Sequence, residues 1–183
     1  KSDLDLPELP ETALDAHLNF THARIHFFPT QPPVTEADGT IHVTSKILEA
    51  EVKSGKFLEN STLTQGHVSI DDLNLDNPLI TVKLHAETIA QDVVKFLSAP
   101  PVEKAAGLKL NANTVRGNVS GDAEVSFSYF APRDAQGRPL PDMGIKYKVE
   151  AKLSQVGQPG FLGKFDIQGL NGTASVNNRE LEV

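Results

Sequence analysis

The chain has 183 residues, a net charge of −7, 39% hydrophobic and 6% aromatic residues, no tryptophan and no cysteine. Lack of cysteine excludes disulfides, thiol nucleophiles and thiolate metal sites. Acids and bases are interspersed without a basic run, which argues against nucleic-acid binding and against a polybasic anchor on an anionic membrane.

No apolar run reaches the ~20 residues that span a bilayer, and no signal peptide is visible. The chain reads as part of a longer protein. Residues 1–17 are acidic and carry Pro7 and Pro10. They form an expected lead-in segment, with a short helix over 11–16. A strand is expected over 18–28, then an extended loop over 29–38 holding Pro29, Pro32 and Pro33. Asp38-Gly39 reads as a turn before a strand over 41–45. Residues 47–53 alternate, with Leu48, Ala50 and Val52 on one face. Ser54-Gly55 reads as the next turn, and Gln65-Gly66 precedes a strand over 67–71.

After Asn77-Pro78, Ile80, Val82, Leu84 and Ala86 alternate with Thr81, Lys83 and His85. The period then changes. Ile89, Val93, Phe96 and Leu97 fall at helical spacing, and Pro100-Pro101 stop the helix. Thr88 is its expected N-cap, with Gln91 completing a capping box.

Residues 111–130 alternate for twenty positions, Val115, Val119, Val125 and Phe127 on one side, Arg116, Asp122, Glu124 and Ser126 on the other. Such a pattern gives one long strand with an apolar face, or two strands broken at Gly117 or Gly121. A Pro-containing loop over 132–144 follows. Then Ile145, Tyr147, Val149, Ala151 and Leu153 alternate with lysines and Glu150. Gln158-Pro159-Gly160 reads as a turn, 161–170 as a strand with Phe165 and Ile167 on one side, and Asn171-Gly172 as a two-residue hairpin. Asn177-Asn178 makes a last turn before 181–183. Short turns between successive strands imply an antiparallel meander. A weak similarity between 18–53 and 145–183 fits a stack of β units.

Chemistry-bearing clusters are sparse. His22 and His26 share a strand face, but no third ligand is fixed at metal-site spacing. Asp71, Asp72 and Asp76 lack the spacing of a calcium loop and fit turn caps better. GxGxxG and GxSxG are absent. The Asn-x-Ser/Thr triplets at Asn19, Asn60, Asn118 and Asn171 fit polar strand faces and turns. The expectation is a non-enzyme without cofactor or metal.

One family matches these patterns together. FTHARIHFFPTQPPVTEADGTIHVTSKILEAEVKSGKF, from Phe20, places Phe27-Phe28, Pro32-Pro33, Gly39-Thr40-Ile41, the alternating Leu48 to Val52 and Ser54-Gly55 in order. Val93 to Leu97, Pro100-Pro101 and Val115-Arg116-Gly117 through Gly121 follow. KYKVEAKLSQVGQPGFLGKFDIQGLNGTASVNN then begins the pattern again. The chain resembles the AsmA-like superfamily, specifically the YhdP-type proteins of Gram-negative envelopes, over roughly 18–183.

The resemblance implies a bridge-like lipid transfer protein in the periplasm, anchored in the inner membrane by a part not present here. The expected fold is mainly β: an extended, twisted antiparallel sheet curled into a groove, with one short helix near 88–98. Residues 18–183 would form about one and a half repeat units. The groove would shield phospholipid acyl chains moving between the inner and outer membranes. A sixteen-carbon chain is disfavoured in water by roughly 10 kcal/mol, and a continuous apolar face offsets this at many nearly equivalent positions. The expected lining is Leu48, Ala50 and Val52; Ile80, Val82 and Leu84; Val115, Val119, Val125 and Phe127; Tyr147 and Val149; Phe165 and Ile167. Its partners would be phospholipid, and neighbouring β units or envelope proteins at open strand edges. The alternative is an envelope scaffold that binds proteins by strand addition. A carbohydrate-binding sandwich is disfavoured because Tyr129 and Tyr147, the two tyrosines, both fall on the apolar side.

Overall fold

The computed structural model describes residues 14–26, 31–73, 75, 77–99, 111–128, 145–161, 164–177 and 181–182. Alternating apolar and polar residues become strands: β1 (Asp15–Ile25), β2 (Val34–Thr44), β3 (Leu48–Phe57), β4 (Ser61–Asp71), β5 (Leu79–Ile89), β6 (Arg116–Ser128), β7 (Lys146–Phe161), β8 (Phe165–Asn177) and β9 (Leu181–Glu182). The helix α1 (Ala90–Leu97) lies between β5 and β6. All nine strands form one antiparallel sheet in chain order, β1 to β9. The two end strands do not pair with each other, so the sheet is an open, curled groove and not a barrel.

Several turn expectations are corrected. Asp38-Gly39 lies inside β2, Ser54-Gly55 inside β3, Gln158-Pro159-Gly160 inside β7 and Asn171-Gly172 inside β8. Strand β2 starts at Val34, within the expected loop. Asp15 and Ala16 are strand, not helix; the rest of the expected helix lies largely outside the described residues. Gln65-Gly66 continues β4, and Gly66 is buried where an added Cβ would stand 3.2 Å from Val52 Cβ. The pattern at 111–130 yields one 13-residue strand, unbroken at Gly117 or Gly121. These glycines admit close backbone approach: a Cβ on Gly117 would meet the Gln155 carbonyl oxygen at 2.6 Å, and one on Gly121 would run into the Glu150 carbonyl.

Glycine in these places serves bulges and close packing. His22, Glu36 and Gln155 have φ of 52°, 50° and 54°, and register shifts surround each of them. Bulges bend a strand and increase its twist. In β1–β2, the His22 N–H donates to Asp38 Oδ1 at 2.9 Å. In β7–β8, the Gln155 N–H donates to Asn171 Oδ1 at 2.9 Å. The Asx-Gly dipeptides therefore clamp bulges on the neighbouring strand.

The two clamps belong to a repeat. In β1–β2 the pairs are Ala16↔Val43, Phe20↔Gly39, Ala23↔Ala37 and Ile25↔Val34. In β7–β8 they are Val149↔Val176, Leu153↔Gly172, Val156↔Leu170 and Gln158↔Ile167. Each residue of the second set follows its counterpart by 133 positions, as Asn171 follows Asp38. The offset also holds on the next strands, Val43↔Leu48 against Val176↔Leu181. Glu36 at φ 50° is matched by Gly169 at φ 64°.

Helix α1 packs over one end of the sheet. Its N-cap is Ile89, without a side-chain cap. Thr88 stays in β5 opposite Val119, its hydroxyl 2.5 Å from that of Ser61. Val93 packs partly covered against the sheet, and the buried positions of the helix are Ala90, Asp92 and Val94. Asp92 is wholly buried because its carboxylate has partners. It accepts from Asn60 N at 2.9 Å, the Ser61 hydroxyl at 3.2 Å and Lys95 Nζ at 3.2 Å. Hydrogen bonds to a charged group contribute about 1.5–3 kcal/mol each. Phe96 meets Phe57 edge-on with ring centroids 5.5 Å apart. The helix is thereby latched to the β3–β4 turn.

Candidate functional site: an apolar sheet face

Antiparallel register places facing residues on the same side of a sheet. Here the register aligns apolar positions into rows that cross the strands. One row runs Leu18, Ile41, Ala50, Val68, Val82, Val125 and Tyr147, from β1 to β7. Beside it run Val43, Leu48, Ile70, Ile80 and Phe127. On the other side run Gly39, Val52, Gly66, Leu84, Ala123, Val149 and Val176. This last row crosses seven strands, about 29 Å at roughly 4.8 Å per strand.

Leu48, Ala50, Val52, Ile80, Val82, Leu84, Val125, Phe127, Tyr147 and Val149 thus share one face of the sheet. Val115 and Val119 lie at its helix end, buried with Ala90 and Val94 of α1. Val52 joins Val34, Ala37 and Leu63 in a second buried cluster toward that end. In the middle rows Leu48, Ala50, Ile80, Leu84, Val125, Tyr147 and Val149 are of intermediate exposure, while Val82 and Phe127 are buried. Phe165 and Ile167 stand apart. They lie where β7–β8 runs past Arg116↔Gly157, the outermost β6–β7 pair, and Phe165 is 62% exposed. Strand β6 begins at Arg116 while β7 runs on to Phe161, so this end of the hairpin extends beyond the shared face.

The opposite face is charged and ordered across strands. Glu51, His67, Lys83, Glu124 and Lys148 follow one another on adjacent strands. His67 Nδ1 lies 2.6 Å from Glu51 and His85 Nδ1 2.8 Å from Asp122. Lys148 lies 2.7 Å from Glu150, whose carboxylate raises the ammonium's pKa through that hydrogen bond. Concavities of about 320 and 620 Å³ lie on this side, around His85, Asp122 and Glu150. Lys83, His85, Asp122, Glu124 and Glu150 share these walls with Leu84, Ala123, Ala151 and Ala174, and the charged groups suit water and ions.

Sequence reasoning paired His22 with His26 as possible metal ligands. Register instead brings His17 and His42 together with Asp15. Asp71 ends β4 and Asp72 follows it at φ 58°, while Asp76 is outside the described residues. No helix among the described residues is long and apolar enough to cross a membrane. Comparison with family models, curated proteins and solved structures finds no match.

Proposed function

We propose that this chain is a segment of a periplasm-spanning, inner-membrane-anchored bridge that shields phospholipid acyl chains on its apolar sheet face during transport between the two membranes. The observation that carries the reading is the set of aligned apolar rows from β1 to β8, most of whose side chains are partly exposed. Among the described residues, α1 is the one secondary-structure element outside the sheet, and it packs at one end of these rows. A wall of aliphatic and aromatic positions suits a ligand that slides: each stretch offers a similar transfer energy, about 25 cal/mol per Å² of apolar surface. The work needs shelter from water and no bond making.

The edges support the scaffold reading as an adjunct. An unpaired edge presents free N–H and C=O groups that accept another strand. The repeat specifies which: β7, the counterpart of β1, pairs with β6, so the outer side of β1 suits a β6-like strand from a neighbouring unit.

Photocrosslinkers at positions 125 and 149, followed by mass analysis, test the conduit. Phospholipid adducts are expected at both positions and are expected to be absent from a crosslinker at Lys83 on the charged face. Val125→Asp is expected to abolish lipid co-purification while the circular dichroism spectrum stays that of a β protein. Crosslinks to protein alone at both apolar positions overturn the proposal.

A further inference from the structure

We propose that Asp15, His17 and His42 form a binding site for one divalent transition-metal ion on the edge hairpin β1–β2. Asp15 and His17 are two residues apart on one strand, so both side chains stand on the same face. His42 is the cross-strand partner of His17. His42 Nε2 lies 3.0 Å from Asp15 Oδ1, and His17 Nε2 lies 3.5 Å from the same oxygen. The three ligand atoms all fall within 4.8 Å of one another. Donors around a tetrahedral ion with bonds of about 2.0–2.1 Å stand roughly 3.3 Å apart, so the cluster is close to ligating separation.

The two imidazoles stack with centroids 4.1 Å apart and planes 4° from parallel. To share one ion the rings turn toward each other about their terminal torsions, which have broad minima. His17, 74% exposed, has room for that turn, and His42 is partly exposed. Glu49 is the cross-strand partner of His42 on β3, with its carboxylate 3.9 Å from His42 Nδ1. A small approach from 3.9 Å would let this outer carboxylate accept from the far ring nitrogen, which orients a ligating histidine and raises its basicity. A single cross-strand row, His17, His42 and Glu49, therefore supplies two ligands and a support.

Two imidazoles and one carboxylate select for zinc, cobalt, nickel or copper over calcium and magnesium, which take oxygen ligands. Three protein donors leave a coordination position for water or for a group arriving at the β1 edge. The repeat supplies an internal comparison. The positions 133 residues later are Lys148, Glu150 and Ser175, a set without imidazole. The register alone thus does not require histidine here.

The test is titration of the untagged 183-residue chain with ZnCl₂ by calorimetry and with CoCl₂ by visible absorption. One zinc per chain is expected, with the intense d–d bands of four-coordinate cobalt and a thermal midpoint that rises with zinc. His17→Ala and His42→Ala are each expected to remove the cobalt bands and the thermal shift. Glu49→Gln is expected to weaken zinc about tenfold. His85→Ala, at a histidine that also neighbours a carboxylate, is expected to leave the titration unchanged. No stoichiometric uptake overturns the proposal, as does uptake that survives both His17→Ala and His42→Ala or that falls equally with His85→Ala.

Discussion

The hairpins β1–β2 and β7–β8 share one register and one bulge clamp, yet their surroundings differ. In the first, a Cβ on Gly39 would run into the Glu51 carbonyl and stand 2.5 Å from Cζ of Phe20. In the second, a Cβ on Gly172 would meet nothing within 4 Å. One reason is local: Phe20 faces Gly39 in the first hairpin, and the smaller Leu153 faces Gly172 in the second. The bulge geometry belongs to the hairpin itself, and the steric demand on its glycine comes from what packs beside it.

Substitutions can break that comparison. Gly39→Ala is expected to cost about 3 kcal/mol, because its collision is with backbone as well as a packed ring, while Gly172→Ala costs less than about 0.5 kcal/mol. Urea denaturation of both variants measures the gap, and equal losses would mean that the neighbouring strand is not the cause. Asp38→Ala and Asn171→Ala each remove one clamp. Each is expected to cost about 1 kcal/mol, matched between hairpins; a loss confined to one would separate the two clamps.

The smallest effect lies at the second bulge position, where Glu36 stands against Gly169. The Glu36 carboxylate meets Lys56 Nζ at 2.9 Å. That hydrogen bond, then the ammonium's charge, holds its pKa below the usual glutamate value. A lowered folded-state pKa contributes stability that is complete above the ordinary glutamate range and is lost as pH falls through the lowered midpoint. Carboxyl NMR titration is expected to show Glu36 titrating below the usual glutamate value, and Lys56→Met is expected to return it toward that value.

Much of the architecture was legible in the sequence, because period-two alternation and a single shift to helical period are local signals. The mainly β sheet, the helix after β5 and the apolar parity of β3, β5, β6 and β7 follow from them. Asx-Gly misled the reading: the same dipeptide that closes a two-residue hairpin also clamps a bulge, and pairing with a distant strand decides between them. The burial of Asp92 was not legible for a related reason. Asp92 looks like a solvent-facing residue until Asn60 and Ser61, some thirty positions earlier, offer it hydrogen bonds. The association of Asp15 and His17 with His42 likewise depends on register, which one strand read alone does not contain.

Strictly sequential pairing sets how such a chain comes together and apart. Every strand finds its hydrogen-bonding partner immediately before or after it along the polypeptide, so the sheet can grow one hairpin at a time as residues emerge, with little loop-closure entropy at each step. Traction on the termini would peel strands from either margin inward, as in other quasi-one-dimensional assemblies. The Asp92 latch between α1 and the β3–β4 turn is where that unzipping should meet its strongest resistance.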